Sequence, residues 1–198
     1  MLLYIITILG GDIAIMIFNI IFSRQLYGFA VWQIIVFSLL VMIELIAIDG
    51  FCAWFVRWRL PEKWFTYDKK IFQISKGRAK FLEALGIKKW KDKILELGMF
   101  TSFSKREIAK PDDIEYIERF IMECNNGACD HIINVFLGFV VIFLFPLKWI
   151  WCFAFPAACV NVVLNWLPFA TLQYNNYRLL RLREVLIKKQ QRKSKEEE

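Results

Sequence analysis

Charge is almost missing from three stretches of this 198-residue chain, 2–22, 29–56 and 132–171, which together hold only Asp12, Glu44, Asp49 and Lys148. That excludes an ordinary soluble domain for these parts, because each is long enough to cross a hydrocarbon core about 30 Å thick as a helix of roughly 20 residues. Imidazole is scarcer still, with His131 the single histidine. The five cysteines, Cys52, Cys124, Cys129, Cys152 and Cys159, are odd in number and scattered, and three lie in apolar runs. An oxidised framework is therefore excluded. No G-x-S-x-G is present, so a serine-nucleophile elbow is not expected. The first apolar run lacks a basic leader and ends at Ser23, Arg24 and Gln25 without a small-residue cleavage site, which favours a retained span over a signal peptide.

What is present is apolar and basic. The hydrophobic share is 58%, above the roughly 45–50% of soluble domains. The net charge of +7 gathers in two places, with 16 basic residues between Arg57 and Asp130 and eight from Asn175 onward. Beside apolar spans this pattern implies cytoplasmic loops and an anionic leaflet rather than nucleic acid. The two short connections carry one cation each, Arg24 and Lys148, so the charge rule places both termini and the middle segment in the cytoplasm.

The expected fold is all-α: a multi-pass membrane protein with four transmembrane helices. Residues 1–60 form a transmembrane hairpin turning at Ser23 to Tyr27, and Pro61 stops its second helix. Residues 61–130 form a cytoplasmic, interfacial segment of short amphipathic helices. Phe81, Leu82, Leu85 and then Ile94, Leu95 and Leu97 mark their apolar faces, Gly86 and Gly98 their ends, and Ser104 with Glu107 has capping-box spacing. Pro111-Asp112-Asp113 opens the clearest helix, with Ile114, Ile117, Phe120 and Ile121 on one face. Residues 131–174 make a second hairpin broken near Pro146, Lys148 and Trp149, with Pro156 and Pro168 kinking the fourth helix or marking re-entry, and a single deep re-entrant pair as the alternative. Residues 175–198 read as a basic amphipathic surface helix with an unstructured end.

Several residues are candidates for chemistry. His131 stands where the charged middle enters the membrane, and an unperturbed imidazole, pKa about 6.5, suits removal of a hydroxyl proton near neutral pH. The competing reading is a headgroup-level anchor. Glu123 lies eight residues earlier, about 80° around and roughly 12 Å along a continuous helix, so the two meet only if Asn125-Asn126-Gly127 breaks it. Cys124, Cys129 and His131 have no common zinc spacing and no second ligand pair, so no metal is expected. Asp12 and Glu44 are the central carboxylates of the first two spans and are expected to meet, sharing a proton or binding a substrate, with Asp49 nearer the helix end. Asn161 and Asn165 share a helix face, as helix glue or as ligands of sugar hydroxyls. Trp90, Lys91 and Asp92 sit in a basic interfacial cluster suited to phosphate headgroups, and Arg178 follows the last span.

Three stretches together resemble the glycosyl-4,4'-diaponeurosporenoate acyltransferase family of small bacterial membrane proteins, from about Pro61 to Leu180. Gly86-Ile-Lys-Lys-Trp90-Lys-Asp92-Lys, followed by Leu97-Gly98 and Phe103-Ser104-Lys105, is similar to the family's G-I-x-K-W-K-D-x-L-P. Glu123 to His131 is similar to E-T-x-R-x-E-x-x-H, with Asn126 and Ala128 in place of the Arg and second Glu, and Asp130 beside the histidine as a substitute carboxylate. Asn165-Trp-Leu-Pro168 running into Gln173-Tyr-Asn175-Asn-Tyr-Arg178-Leu is similar to N-x-x-P then Q-R-Y-N-R-x-R-L. The resemblance implies transfer of a fatty acyl group to a hydroxyl of a glycolipid or polyisoprenoid glycoside in a bacterial cell membrane. His131, Glu123 and Asp130 would be catalytic, and Trp90, Lys91, Asp92, Asn161, Asn165 and Arg178 would bind substrate. The implied partners are membrane lipids and the glycolipid acceptor, with the acyl donor as co-substrate, no cofactor, and homo-oligomerisation left open. No H-x4-D pattern is present, since Phe136 follows His131 after four residues. A non-catalytic lipid-binding scaffold and a small oligomeric transporter are the rival readings.

Overall fold

The computed structural model describes residues 2–94 and 108–196, with side chains from residue 5 on. Leu95, Leu97, Gly98, Phe103 and the Ser104–Glu107 spacing lie outside the described residues. The described chain is helical, with no strand, and Ile5–Tyr27, Val31–Arg59, Ile114–Leu144 and Leu147–Glu196 are long and apolar enough to cross a membrane. We label α1 Leu2–Phe18, α2 Val31–Arg59, α3 Lys76–Ala84, α4 Ile114–Leu137 and α5 Phe155–Glu196. Ile6, Leu9, Ile13 and Ile17 of α1 and Trp32, Ile43 and Ile46 of α2 face outward. Large apolar side chains covering a helix's outer face need lipid rather than water as solvent.

Three element boundaries differ from the sequence reading. The first turn is Gly28 to Ala30 rather than Ser23 to Tyr27, because Arg24–Tyr27 stays helical until Gly28 takes φ +69°, a left-handed cap that suits glycine. The middle-segment helix and the third span are one helix: α4 runs unbroken through Asn125, Asn126 and Gly127. Likewise the fourth span and the tail are one 42-residue helix that keeps Pro168 in its interior and stays helical to Glu196. The break at Pro146 is where the sequence places it.

The chain forms two compact units, residues 1–56 with 130–167, and residues 57–129 with 168–198. In the first, Ile15, Ile34, Val41, Met42, Val141 and Phe153 pack around Ala154, Ala157 and Ala158. Small residues let helices approach closely in lipid, and Gly11 does the same, since a Cβ there would lie 2.9 Å from both methyls of Val160. Two π-turns, Asn19–Ser23 and Ile150–Ala154, are tied by Asn19, whose fully buried amide donates to the carbonyls of Ile15 at 2.8 Å and Cys152 at 2.7 Å. Asp12 Oδ1 and Glu44 Oε2 are buried, and neither has a hydrogen-bond partner among the described residues.

In the second unit, Pro61 ends the helical run and short turns lead to α3, whose first turn is capped by Ser75 accepting from the Arg78 amide at 3.2 Å. Gly86, at φ +75°, turns the chain into Ile87–Trp90. Ile74, Ala79, Leu82 and Ile87 pack on Ala170 and Tyr174, while Ile117, Phe120, Ile121 and Cys124 pack on Leu179 and Leu186. Asn125 anchors the segment after Pro61: it donates to the Phe65 carbonyl at 2.7 Å and accepts from Asn176 at 2.7 Å, and Asn176 also donates to the Phe72 carbonyl at 3.1 Å.

Candidate functional site

The first unit holds a polar cluster inside otherwise apolar helices, built from Asp49 of α2, Asp130, His131 and Asn134 of α4, and Asn161 and Asn165 of α5. Helical spacing dictates the membership. Asp130 and Asn134 are four apart, as are Asn161 and Asn165, so each pair shares a face. Asn134 Nδ2 donates to Asp130 Oδ1 at 3.1 Å and to the Asp49 carbonyl at 3.4 Å. Asn161 Nδ2 donates to Asp49 Oδ1 and to the Asn134 carbonyl, both at 3.3 Å. Asn165 Nδ2 donates to Asp49 Oδ2 at 2.8 Å and lies 3.0 Å from Asn161 Oδ1 and 3.2 Å from the Asn161 carbonyl.

Those contacts decide the state of the histidine. Asn165 Nδ2 is surrounded by three acceptors, so turning the amide over would set its oxygen against oxygens. Asn165 Oδ1 therefore faces His131 Nδ1, 2.9 Å away, and must accept from it. The neutral imidazole consequently carries its proton on Nδ1 and its lone pair on Nε2. A ring held in one tautomer by a buried amide is arranged to take a proton at the other nitrogen. Gly138 permits this packing: a Cβ there would press on the Asn161 amide, with Cγ at 3.3 Å and Cβ at 3.4 Å and Nδ2 nearer still.

The other expected site residues fall elsewhere. Glu123, in the second unit, accepts from Arg57 at 2.9 Å and Arg119 at 3.3 Å, and Arg119 reaches on to Glu62 at 3.3 Å. Because Asn125-Asn126-Gly127 stays helical, the fold-back expected to bring Glu123 to His131 does not form. Trp90 donates its indole N–H to the Leu85 carbonyl at 3.1 Å and packs beside Ile74 and Tyr174. Lys91 is buried and pairs with Asp92 at 2.8 Å. Arg178 is exposed, near Glu83, a carboxyl held below its ordinary range by the Lys88 ammonium at 2.9 Å and then by the Tyr174 hydroxyl, which donates to it at 2.7 Å. Among the described residues no three His, Cys, Asp or Glu side chains group as metal ligands.

A family model described as glycosyl-4,4'-diaponeurosporenoate acyltransferase matches residues 61–185, well over half of the chain. The chain belongs to that family. No curated protein and no solved structure gives a significant match. This acyltransferase-family stretch contains Asp130, His131, Asn134, Asn161 and Asn165, whereas Asp49 precedes it. Sequence reasoning ranked Glu44 above Asp49 because Glu44 is the more central in its span, and it did not single out Asn134 or Gly138. The shared face of Asn161 and Asn165 was read from the sequence; the carboxylate that accepts from both amides was not.

Proposed function

We propose that this family member transfers a fatty acyl group onto a hydroxyl of a glycolipid or polyisoprenoid glycoside, with His131 as the general base. Family membership supplies the reaction class, and the observation that carries the role is the 2.9 Å contact of His131 Nδ1 with an amide of fixed orientation. Nε2 takes the proton of the acceptor hydroxyl as its oxygen attacks the acyl carbonyl of a thioester or ester donor. The new C–O bond forms, the bond to the leaving thiol or alcohol breaks, and the imidazolium returns the proton to the leaving group. Asn134, whose Oδ1 is buried without a hydrogen-bond partner among the described residues, and Asp130 line the same cluster and suit contacts to sugar hydroxyls. Both reactants are amphiphiles held by a bilayer, which confines their search to a plane. On the charge rule both termini face the cytoplasm of a bacterial cell.

Lipids extracted from bacteria that make a glycolipid with a free sugar hydroxyl, with and without this gene, provide the test. Mass spectrometry should find a glycolipid heavier by one fatty acyl group only where the gene is present. An unchanged glycolipid profile, with the protein present in the membrane, would instead support the non-catalytic scaffold reading, which Ala128 in place of the family's second Glu favours.

A further inference from the structure

Among the described residues, hydrogen bonds lead from the proposed base through Asn165 to Asp49, a carboxylate that neither the family match nor the Glu-to-His motif contains. Asp49 offers Oδ1 to Asn161 Nδ2 at 3.3 Å and Oδ2 to Asn165 Nδ2 at 2.8 Å, so both of its oxygens accept from buried amides. Only a carboxylate can do this. An asparagine at position 49 would turn its N–H2 group toward Nδ2 of either Asn161 or Asn165, setting donor against donor and removing one of the two carboxylate contacts. With Asp49 in place, the Asn165 amide has one allowed orientation and its Oδ1 is committed to His131 Nδ1. The negative charge also polarises the amide, which strengthens its oxygen as an acceptor for the imidazole N–H. Carboxylate, amide and imidazole thus form one chain of donors and acceptors with a single direction.

We propose that Asp49 is a positioning residue: through Asn165 it holds His131 in the tautomer that leaves Nε2 as the base. This deepens the reading of His131 given above and rests on it. Asp49 touches neither substrate nor the reacting atoms here; it acts through another side chain, as outer partners of a metal-bound or catalytic histidine do.

Because His131 is the single histidine, protein labelled with 15N-histidine and held in nanodiscs gives one pair of ring-nitrogen signals. At a pH where the ring is neutral, the parent should show Nδ1 protonated and Nε2 bare. In Asp49→Asn that single pattern should be lost to a mixture of tautomers, with kcat for acyl transfer falling about 10- to 100-fold and KM little changed. If Asp49→Asn does not fold, Asn165→Leu breaks the same chain at its middle and should lose the pattern too. An unchanged tautomer in either folded single variant would overturn the role of Asp49. The two readings fail separately: a shifted tautomer with an unchanged rate in Asp49→Asn removes His131 as the base and keeps the positioning, whereas an unshifted tautomer with a rate abolished by His131→Gln does the reverse.

Discussion

At the residue scale, a few small or polar side chains decide whether the buried cluster exists. Gly138 is one of them, because Asn161 occupies the space a side chain would need. In Gly138→Ala the amide must swing away, giving up its bonds to Asp49 and the Asn134 carbonyl, or the helices must part. The expected cost is about 1–3 kcal/mol, read as a lower unfolding temperature of the detergent-solubilised protein. A Gly138→Ala protein as stable as the parent would show that Asn161 is not held as described. Much of this cluster was legible in the sequence. Asn161 and Asn165 were placed on one face, and His131 stood out as the only imidazole. Asp49 was passed over because depth along a span was used to rank the carboxylates, and depth does not reveal which oxygens meet amide donors on other helices. Glu123 was read by its spacing from His131, but its partner Arg57 comes from far earlier in the chain, as does Glu62, which shares Arg119 with it.

At the element scale, the helices run on where local sequence suggests stops. Asn125-Asn126-Gly127 reads as a breaker, yet α4 continues, since Asn125 and Gly127 have tertiary uses that local propensity cannot register. A Cβ at Gly127 would sit 3.0 Å from Leu172 Cδ1, so glycine there serves close helix packing rather than a turn. Asn125 is buried because it pins the carbonyls of Phe65 and Thr66. Asn125→Ala should therefore strand the Phe65 carbonyl, at about 1–3 kcal/mol for a buried group left unpaired, and leave the Asn176 amide only the Phe72 carbonyl. Brief trypsin treatment, followed by mass spectrometry, should then find faster cleavage at Lys69 and Lys70 than in the parent. Equal cleavage rates would mean that Asn125 does not secure the segment after Pro61.

At the scale of the whole molecule, four apolar helices with lipid-facing Ile, Leu, Trp and Phe were legible from the near absence of charge alone. Hydrophobic length reports the solvent directly, which is why the span count survived while the turn at Gly28 and the long α4 and α5 did not emerge: those depend on capping geometry and on contacts made after folding. Family membership adds acyl transfer as the reaction class, and we propose the one histidine as the group on which that chemistry turns. The most direct measurement is the initial rate of acyl transfer from an acyl thioester to a polyisoprenoid glycoside, for the parent and His131→Gln proteins purified into nanodiscs at equal helix content. Loss of a general base should lower kcat by about 10²- to 10⁴-fold. A His131→Gln rate within twofold of the parent would contradict the assignment of His131 as the base.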